Sequence, residues 1–511
     1  MLKAVKISEE YPAPYEYIDA ASIEVNTDLF RTIPIDLMKT VGILPFTYKD
    51  KTLSAAISDE ADDSNIDILR RYVDAKTDIQ VFVSSKAGIS QRLEQISEDI
   101  LTVDAIVSEI EKANTKQIES PIIRLMDTII WDAVRDRSSD LHFEPERSYV
   151  RVRSRIDGVL HQKYTIPSKH WSLISNRIKI FAGMDIADTM SIQEGRFDLK
   201  INDLSIDFRV AIMPTVSGEN IVIRILHKSR DKFESLAALG FNDFALQEVL
   251  KMCQRPEGMI LVTGPTGSGK TTTIYSMMKQ VSGISNNVMS LEDPVEYSMD
   301  LVRQISISEE KGIDFASGVR GLLRQDPDVI FIGEIRDRET SAVGFRAAMT
   351  GHQVFSTLHC NDVFGALPRL SDLGVSRETA SGNVIGIIAQ RLVRRLCPYC
   401  KETRDASHQE LQLIRKHSSG NFREKSSISV ASANGCSMCS NTGFSGRTVI
   451  AEVLRFSHRL DELIAGNAVL SEIKEQAHAD GFSFMIKDGI EKVLALETTF
   501  EELGRVLDLT R

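Results

Sequence analysis

Long apolar runs are missing from this 511-residue chain. None approaches the roughly 18 consecutive apolar residues that cross a bilayer, so no transmembrane segment is predicted. The opening residues, MLKAVKISEEYPAPYEY, place no apolar core behind their lysines, so no secretory signal is expected and the protein is expected in the cytosol. Aromatics make up only 6% and the net charge is −11. That balance argues against a nucleic-acid groove, which is built from basic and stacking surfaces. Cysteine is too sparse, at six, for a disulfide scaffold. Long repeats and low-complexity tracts are absent as well.

What is present is a folded-protein composition, 42% hydrophobic and 26% charged. At about 150 residues per domain the length predicts three or four units. The first hundred residues read as a small α/β module. IPIDLMKTVG suggests a helix, a hairpin turns around Lys49–Lys51, SNIDILRRYV suggests a helix, DIQVFVSS a strand, and a last helix runs through Leu93. The polar, charged stretch Ser97–Ser120 is expected to carry the linker. A second unit opens with PIIRLMDTIIWDAVRDRSSD, in which Ile123, Met126, Ile129, Ile130 and Val134 share one helical face. Alternating segments follow, and YVRVRSR sets Arg151, Arg153 and Arg155 on one side of a strand. That row reads either as a seat for an anionic partner or as a solvated sheet face. From Leu236 onward MILVTG, NNVMSLED, VIFIGE and HQVFSTLH are near-continuous apolar runs separated by helical segments, the pattern of a parallel sheet with crossover helices.

GPTGSGKT (Gly264–Thr271) lies between the apolar run Met259–Val262 and a helical segment, the context that makes GxxxxGK[ST] specific for phosphate. Gly264, Gly267 and Gly269 let successive amides face the phosphates, with Pro265, Thr266, Ser268 and Thr272 completing the loop. Lys270 can reach the β- and γ-phosphates and Thr271 can bind Mg²⁺. In DPDVIFIGEIRD an apolar strand ends at Gly333 and Glu334, placing an acid where open α/β sheets bind ligands. Glu292, Asp293 and Glu296 follow another strand, and His352 and His359 bracket a third. Acids in a loop are ordinarily solvated and a lone histidine is ordinarily a structural hydrogen-bonder, so these need support from elsewhere. Four cysteines fall in two CxxC pairs, Cys397/Cys400 and Cys436/Cys439, a clustering that favours metal in a reducing compartment. Cys253 reads as a small apolar filler, and Cys360 lacks ligand spacing.

Taken in order, GPTGSGKTTT, LEDPVEY, LRQDPDVIFIGEIRDRET and TGHQVFSTLHCND closely resemble the Walker A, Asp, Walker B and His boxes of secretion-superfamily ATPases of the GspE/PilB type. SSDLHFEP (Ser138–Pro145), RSRIDGVL, QEGRF and FRVAIMPTVSGENIVIRIL extend the resemblance upstream, whereas the first hundred residues match loosely. The resemblance implies an α/β chain in three parts. These are an N-terminal docking domain (1–100), a PAS-like α+β second domain (101–230) and a RecA-like P-loop ATPase core (231–511) with an inserted zinc module at about 396–447. It also implies a cytoplasmic homo-hexamer, peripheral at the inner membrane through a platform protein, that hydrolyses ATP·Mg²⁺ to extend a type IV pilus or a type II secretion pseudopilus. By that likeness Glu334 is the catalytic acid, and Glu292 and His359 place water or sense the γ-phosphate. Arg209 and Arg224 approach the nucleotide from the second domain, and the four cysteines hold Zn²⁺ in a closed structural site. Retraction ATPases of the PilT type typically lack such a module, so its presence implies extension or export.

The chain departs from the family in three places. TMSIQEGR (Thr189–Arg196) stands where RRLPQDGR is common, Cys360 stands for the usual threonine, and the long N-terminal signature that binds cyclic dinucleotide in some members is not visible, so that regulation is not expected. Two other functions share parts of the pattern: a nucleic-acid translocase on a RecA-like core, and a nucleotide-gated scaffold without turnover. The acidic balance argues against the first, and Lys270, Glu334 and the arginines against the second.

Overall fold

In the computed structural model the described residues are 16–20, 23, 25–26, 29, 35–49, 52–59, 66–70, 77–99, 103–112, 119–201, 204–228, 235–308, 312–417, 428–439 and 442–510. The chain divides into two units, Met1–Ser229 and Arg230–Arg511.

In the first unit β1 (Glu16–Tyr17), β2 (Ile43–Lys49), β3 (Thr52–Ser58) and β4 (Asp78–Ser84) form a sheet in the order β1-β4-β3-β2. β2 and β3 are an antiparallel hairpin, and β4 runs parallel to both β3 and β1. Interior β3 is buried along nearly its whole length, so small residues such as Ala55 and Ala56 fill it. The helices Ile35–Val41 and Lys86–Asp99 cover the sheet through Leu37, Met38 and Leu93. The linker expected at Ser97–Ser120 contains a helix instead, Val103–Lys112. Val103, Ile106, Val107 and Ile110 recur at helical spacing and are all buried, which a solvated linker would not do.

The helix Glu119–Arg135 buries Ile122, Leu125, Met126, Ile129, Ile130 and Ala133. Its apolar face is thus rotated slightly from the expected one, leaving Ile123 and Val134 half-buried. Six strands follow: β5 (Asp140–Pro145), β6 (Tyr149–Ile156), β7 (Val159–Pro167), β8 (Gln193–Ile201), β9 (Leu204–Thr215) and β10 (Gly218–Lys228). They pair antiparallel throughout in the order β7-β6-β5-β10-β9-β8, the open antiparallel sheet of a PAS-like α+β layer. β6 alternates half-buried and buried positions, so Val150 and Val152 enter the core while its arginines line the other face.

In the second unit seven strands form one sheet: β11 (Gly258–Thr263), β12 (Val288–Glu292), β13 (Val302–Ser306), β14 (Val329–Ile332), β15 (Gln353–Leu358), β16 (Val384–Leu396) and β19 (Phe444–Arg455). Their order is β13-β12-β14-β15-β11-β16-β19. All pairs are parallel except β16–β19. β11, β12, β14 and β15 are buried at every position, as strands covered by helices on both faces must be. Because they run the same way, the loops after Thr263, Glu292, Ile332 and Leu358 all leave from one edge. A small antiparallel pair, β17 (Lys401–Asp405) and β18 (Ser429–Ala433), projects between β16 and β19.

Candidate active site

The phosphate loop leaves β11 at Gly264 and enters the helix Lys270–Val281. Gly264 has φ 147° and Gly269 has φ 87°, conformations that side-chain-bearing residues rarely adopt. A methyl at Gly264 would come within 2.6 Å of the Gln390 carbonyl, so glycine is also needed for close packing against β16. The loop's residues fit a phosphate. A methyl at Gly267 would meet nothing within 4 Å, and the Ser268 hydroxyl is buried without a hydrogen-bond partner. The Lys270 ammonium donates to the carbonyls of Gly264 (2.8 Å) and Pro265 (3.1 Å). Burial lowers its pKa, Glu334 opposes that shift, and Arg391 adds to it. Thr266 and Thr272 are exposed and Thr271 is half-buried at the start of the helix.

Glu334 and His359 come together from separate strand ends, His359 Nε2 lying 3.4 Å from Glu334 Oε2. The Arg336 guanidinium donates to the other Glu334 oxygen and reaches Asp293 at 4.0 Å, so it ties the loop after β12 to the loop after β14. Burial pushes the Glu334 carboxyl upward, but Arg336 and His359 outweigh it and hold the pKa below the ordinary value. Such a group is ionised near neutrality and can accept a proton or orient water.

Glu292 takes a different position. It is only 3% exposed, and its carboxylate accepts from Ser290 Oγ (2.6 Å), Gln304 Nε2 (3.1 Å) and the Tyr275 hydroxyl. Burial raises its pKa against those three donors. Tyr275 lies on the helix that follows the phosphate loop, so Glu292 anchors that helix to β12. His352 bonds Ala347 and Thr350 at the end of the helix Arg338–Met349, a structural role. Cys360 bonds Thr263 through its backbone, and Cys253 is buried in the core.

The arginines expected to meet nucleotide lie in the first unit. Arg224 on β10 stands opposite Arg209 on β9, and its Nε is 3.2 Å from Asp140. The same cross-strand row continues to Arg155 on β6 and Arg196 on β8. Arg153 pairs with Glu144 and Arg155 with Asp140 (3.5 Å), while Arg151 lies 3.6 Å from Glu146. Arg151, Arg153, Arg155 and Arg224 are therefore laced to acids rather than simply solvated.

Sequence reading missed Gln390. Its side chain, 0% exposed, donates to the Ser268 carbonyl (2.7 Å) and accepts from the Thr273 hydroxyl (2.8 Å). The available signal was a single amide inside the apolar run VIGIIAQRLV. A polar group buried in a core strand needs partners, and these are supplied by the phosphate loop.

The four cysteines sit where β16 ends and β19 begins, as the paired spacing predicted. Their sulfurs lie within 4.8 Å of one another, with Cys397–Cys436 and Cys400–Cys439 at 3.8 Å and Cys436–Cys439 at 3.7 Å. Tetrahedral Zn–S bonds of about 2.3 Å give sulfur–sulfur edges of about 3.8 Å, so the set fits zinc. The backbone amides of Cys436 and Gly443 each point at the Cys439 sulfur at 3.2 Å, which stabilises a thiolate. A cavity of about 710 Å³ opens at the other end of the sheet, beside Gly258 and Val384, the first residues of β11 and β16. Lys251 and Arg455 on its wall both bond Glu248, so their charge is answered within the protein.

The family model described as type II/IV secretion system protein matches residues 115–505, and an MshEN domain model matches 13–102. The chain is 34% identical over 516 residues to the type IV pilus assembly ATPase PilB of Myxococcus xanthus, covering 97% of this chain and 89% of that protein. It is 36% identical over 430 residues to the type II secretion system ATPase E of Vibrio cholerae, covering 84% of each. Among solved structures, the Legionella pneumophila ATPase DotB superposes with a TM-score of 0.54 at 18% identity, over 75% of this chain and 94% of that one, a likeness of fold.

Proposed function

The chain belongs to the type II/IV secretion system protein family, and from that premise we propose how its residues serve an ATP-driven assembly motor. It is an ATPase built on a RecA-like core. The observation that supports the site assignment best is the convergence of the phosphate loop, Glu334 and His359 at one edge of the parallel sheet. ATP·Mg²⁺ bound there supplies the transferable γ-phosphoryl group and the charge that offsets its oxygens. Lys270 turns from the loop carbonyls to the β- and γ-phosphates, and Thr271 holds the metal. The ionised Glu334 orients the attacking water and accepts its proton. His359, within reach of Glu334, positions the same water. Glu292 acts one layer behind, fixing through Tyr275 the helix that carries Lys270 and Thr271. Arg209 and Arg224 are proposed as the cations that offset charge developing on the phosphates.

At the finer level, the protein works as a homo-hexamer at the inner membrane, docked on a platform protein, and extends a pilus or pseudopilus. No helix among the described residues is long and apolar enough to cross a membrane, which accords with attachment through partners. The cysteine set holds one structural Zn²⁺. Lys270→Ala tests the reading: phosphate release should fall by at least about a hundredfold. Hydrolysis at the wild-type rate would refute the site, and strong stimulation by DNA or RNA would favour a translocase.

A further inference from the structure

The phosphate loop and the loop that begins at His359 both rest on one dipeptide of β16. Gln390 grips the first, donating to the Ser268 carbonyl and accepting from Thr273. Arg391, the next residue, grips the second: one guanidinium nitrogen donates to the Asn361 carbonyl at 2.9 Å and the other to the Gln390 carbonyl at 3.0 Å. Two further contacts secure the same loop. The Thr263 hydroxyl, directly before the phosphate loop, accepts from the Cys360 amide (2.8 Å) and donates to the Cys360 carbonyl (2.9 Å). It thereby continues the β11–β15 ladder by a side chain beyond Leu358, where the backbone pairing ends. Glu452 on β19, in register with Ala389, accepts from the amides of Val363 (2.9 Å) and Met485 (3.1 Å).

Strand-end loops leave the ladder with backbone groups unpaired and are free to move unless side chains satisfy them. Here those side chains come from neighbours on a rigid strand, so both loops are measured from the same origin. We propose that Gln390 and Arg391 are positioning residues for ATP hydrolysis, fixing the phosphate loop and the His359 loop relative to each other. Gln390 sets where the nucleotide phosphates lie, and Arg391 sets where the His359 ring meets them. A displacement of about 1 Å at a reacting centre costs up to a hundredfold in rate, so the Arg391 arm of the brace acts on turnover more than on binding, and the Gln390 arm on nucleotide binding.

The inference rests on His359 acting in hydrolysis, and a double-mutant cycle on the full chain with MgATP separates the two ideas. Arg391→Leu should lower kcat about tenfold with KM for ATP changed less than about twofold, and in a His359→Ala background it should lower kcat less than about twofold. Gln390→Leu should instead raise KM. If His359→Ala alone turns over at the wild-type rate, the reading of the histidine fails. If His359→Ala is impaired and Arg391→Leu still costs its full tenfold in that background, the positioning proposal is overturned, as it is if Arg391→Leu leaves kcat unchanged. Arg391→Lys, which keeps the charge but cannot span both carbonyls, is run in the same cycle and decides the matter should Arg391→Leu not fold.

Discussion

The two flanks of the seven-stranded sheet solve opposite problems. On the parallel flank, from β13 to β11, co-directional strands gather their loops at one edge, and Lys270, Glu334 and His359 meet there from distant parts of the chain. That edge stays open to a ligand. On the antiparallel flank, β16 turns back into β19, and four thiols close the tip where a loop would otherwise splay. The first flank presents polar groups outward; the second consumes them internally. Just inside the cysteines, Arg394 donates to the Glu502 carboxylate at 2.8 and 3.0 Å and covers Phe444, while the Leu396 amide donates to the Glu497 carbonyl. The difference teaches that chemistry and rigidity lie on separate strands, with β16 between them.

Three perturbations should act on the closed flank. The largest is loss of the proposed zinc. Replacing Cys397 and Cys436 with serine, or chelating the protein, should cost at least about 4 kcal/mol, read as a lowered thermal midpoint together with loss of about one zinc per chain. A full midpoint without zinc would mean that the thiols close the flank unaided. Next is Arg394→Ala. Glu502 is fully buried and shared between Arg394 and Arg505, so removing one of its two cationic partners should cost about 2 kcal/mol in denaturant unfolding while nucleotide affinity stays constant.

The smallest effect concerns pH. Burial pushes the Glu452 carboxyl up to about 7 from an ordinary 4.5. Between those values the folded chain keeps a proton that the unfolded chain has lost, so stability falls as pH rises through this window and is level above it. Glu452→Gln should flatten that slope when unfolding is followed between about pH 5 and about pH 8. An unchanged slope would assign it to another group, such as Asp488, which burial raises to about 6.

Legibility in the sequence divided along related lines. The phosphate loop, the apolar strands and the CxxC pairs are local patterns whose spacing carries their chemistry, so they could be read directly. The Glu334–His359 approach depends on two strands lying side by side, and only the family resemblance brought those residues together in advance. Strand register is invisible to local reading, which explains why the row from Arg155 through Asp140, Arg224 and Arg209 to Arg196 went unseen. Glu292 ends one core strand and Glu334 closely follows another, yet one is buried under Tyr275 and the other borders an exposed histidine. Spacing could not distinguish them. The helix at Val103–Lys112 was masked by its charged flanks, although four apolar residues at helical intervals were there to be counted.

The open flank carries the central claim, that Glu334, just beyond β14, drives hydrolysis of nucleotide held by the phosphate loop. The most direct measurement pairs phosphate release with binding of a fluorescent ATP analogue for wild type and Glu334→Gln. The account predicts unchanged affinity and a fall in turnover of at least about a hundredfold. Turnover of Glu334→Gln at the wild-type rate would contradict it.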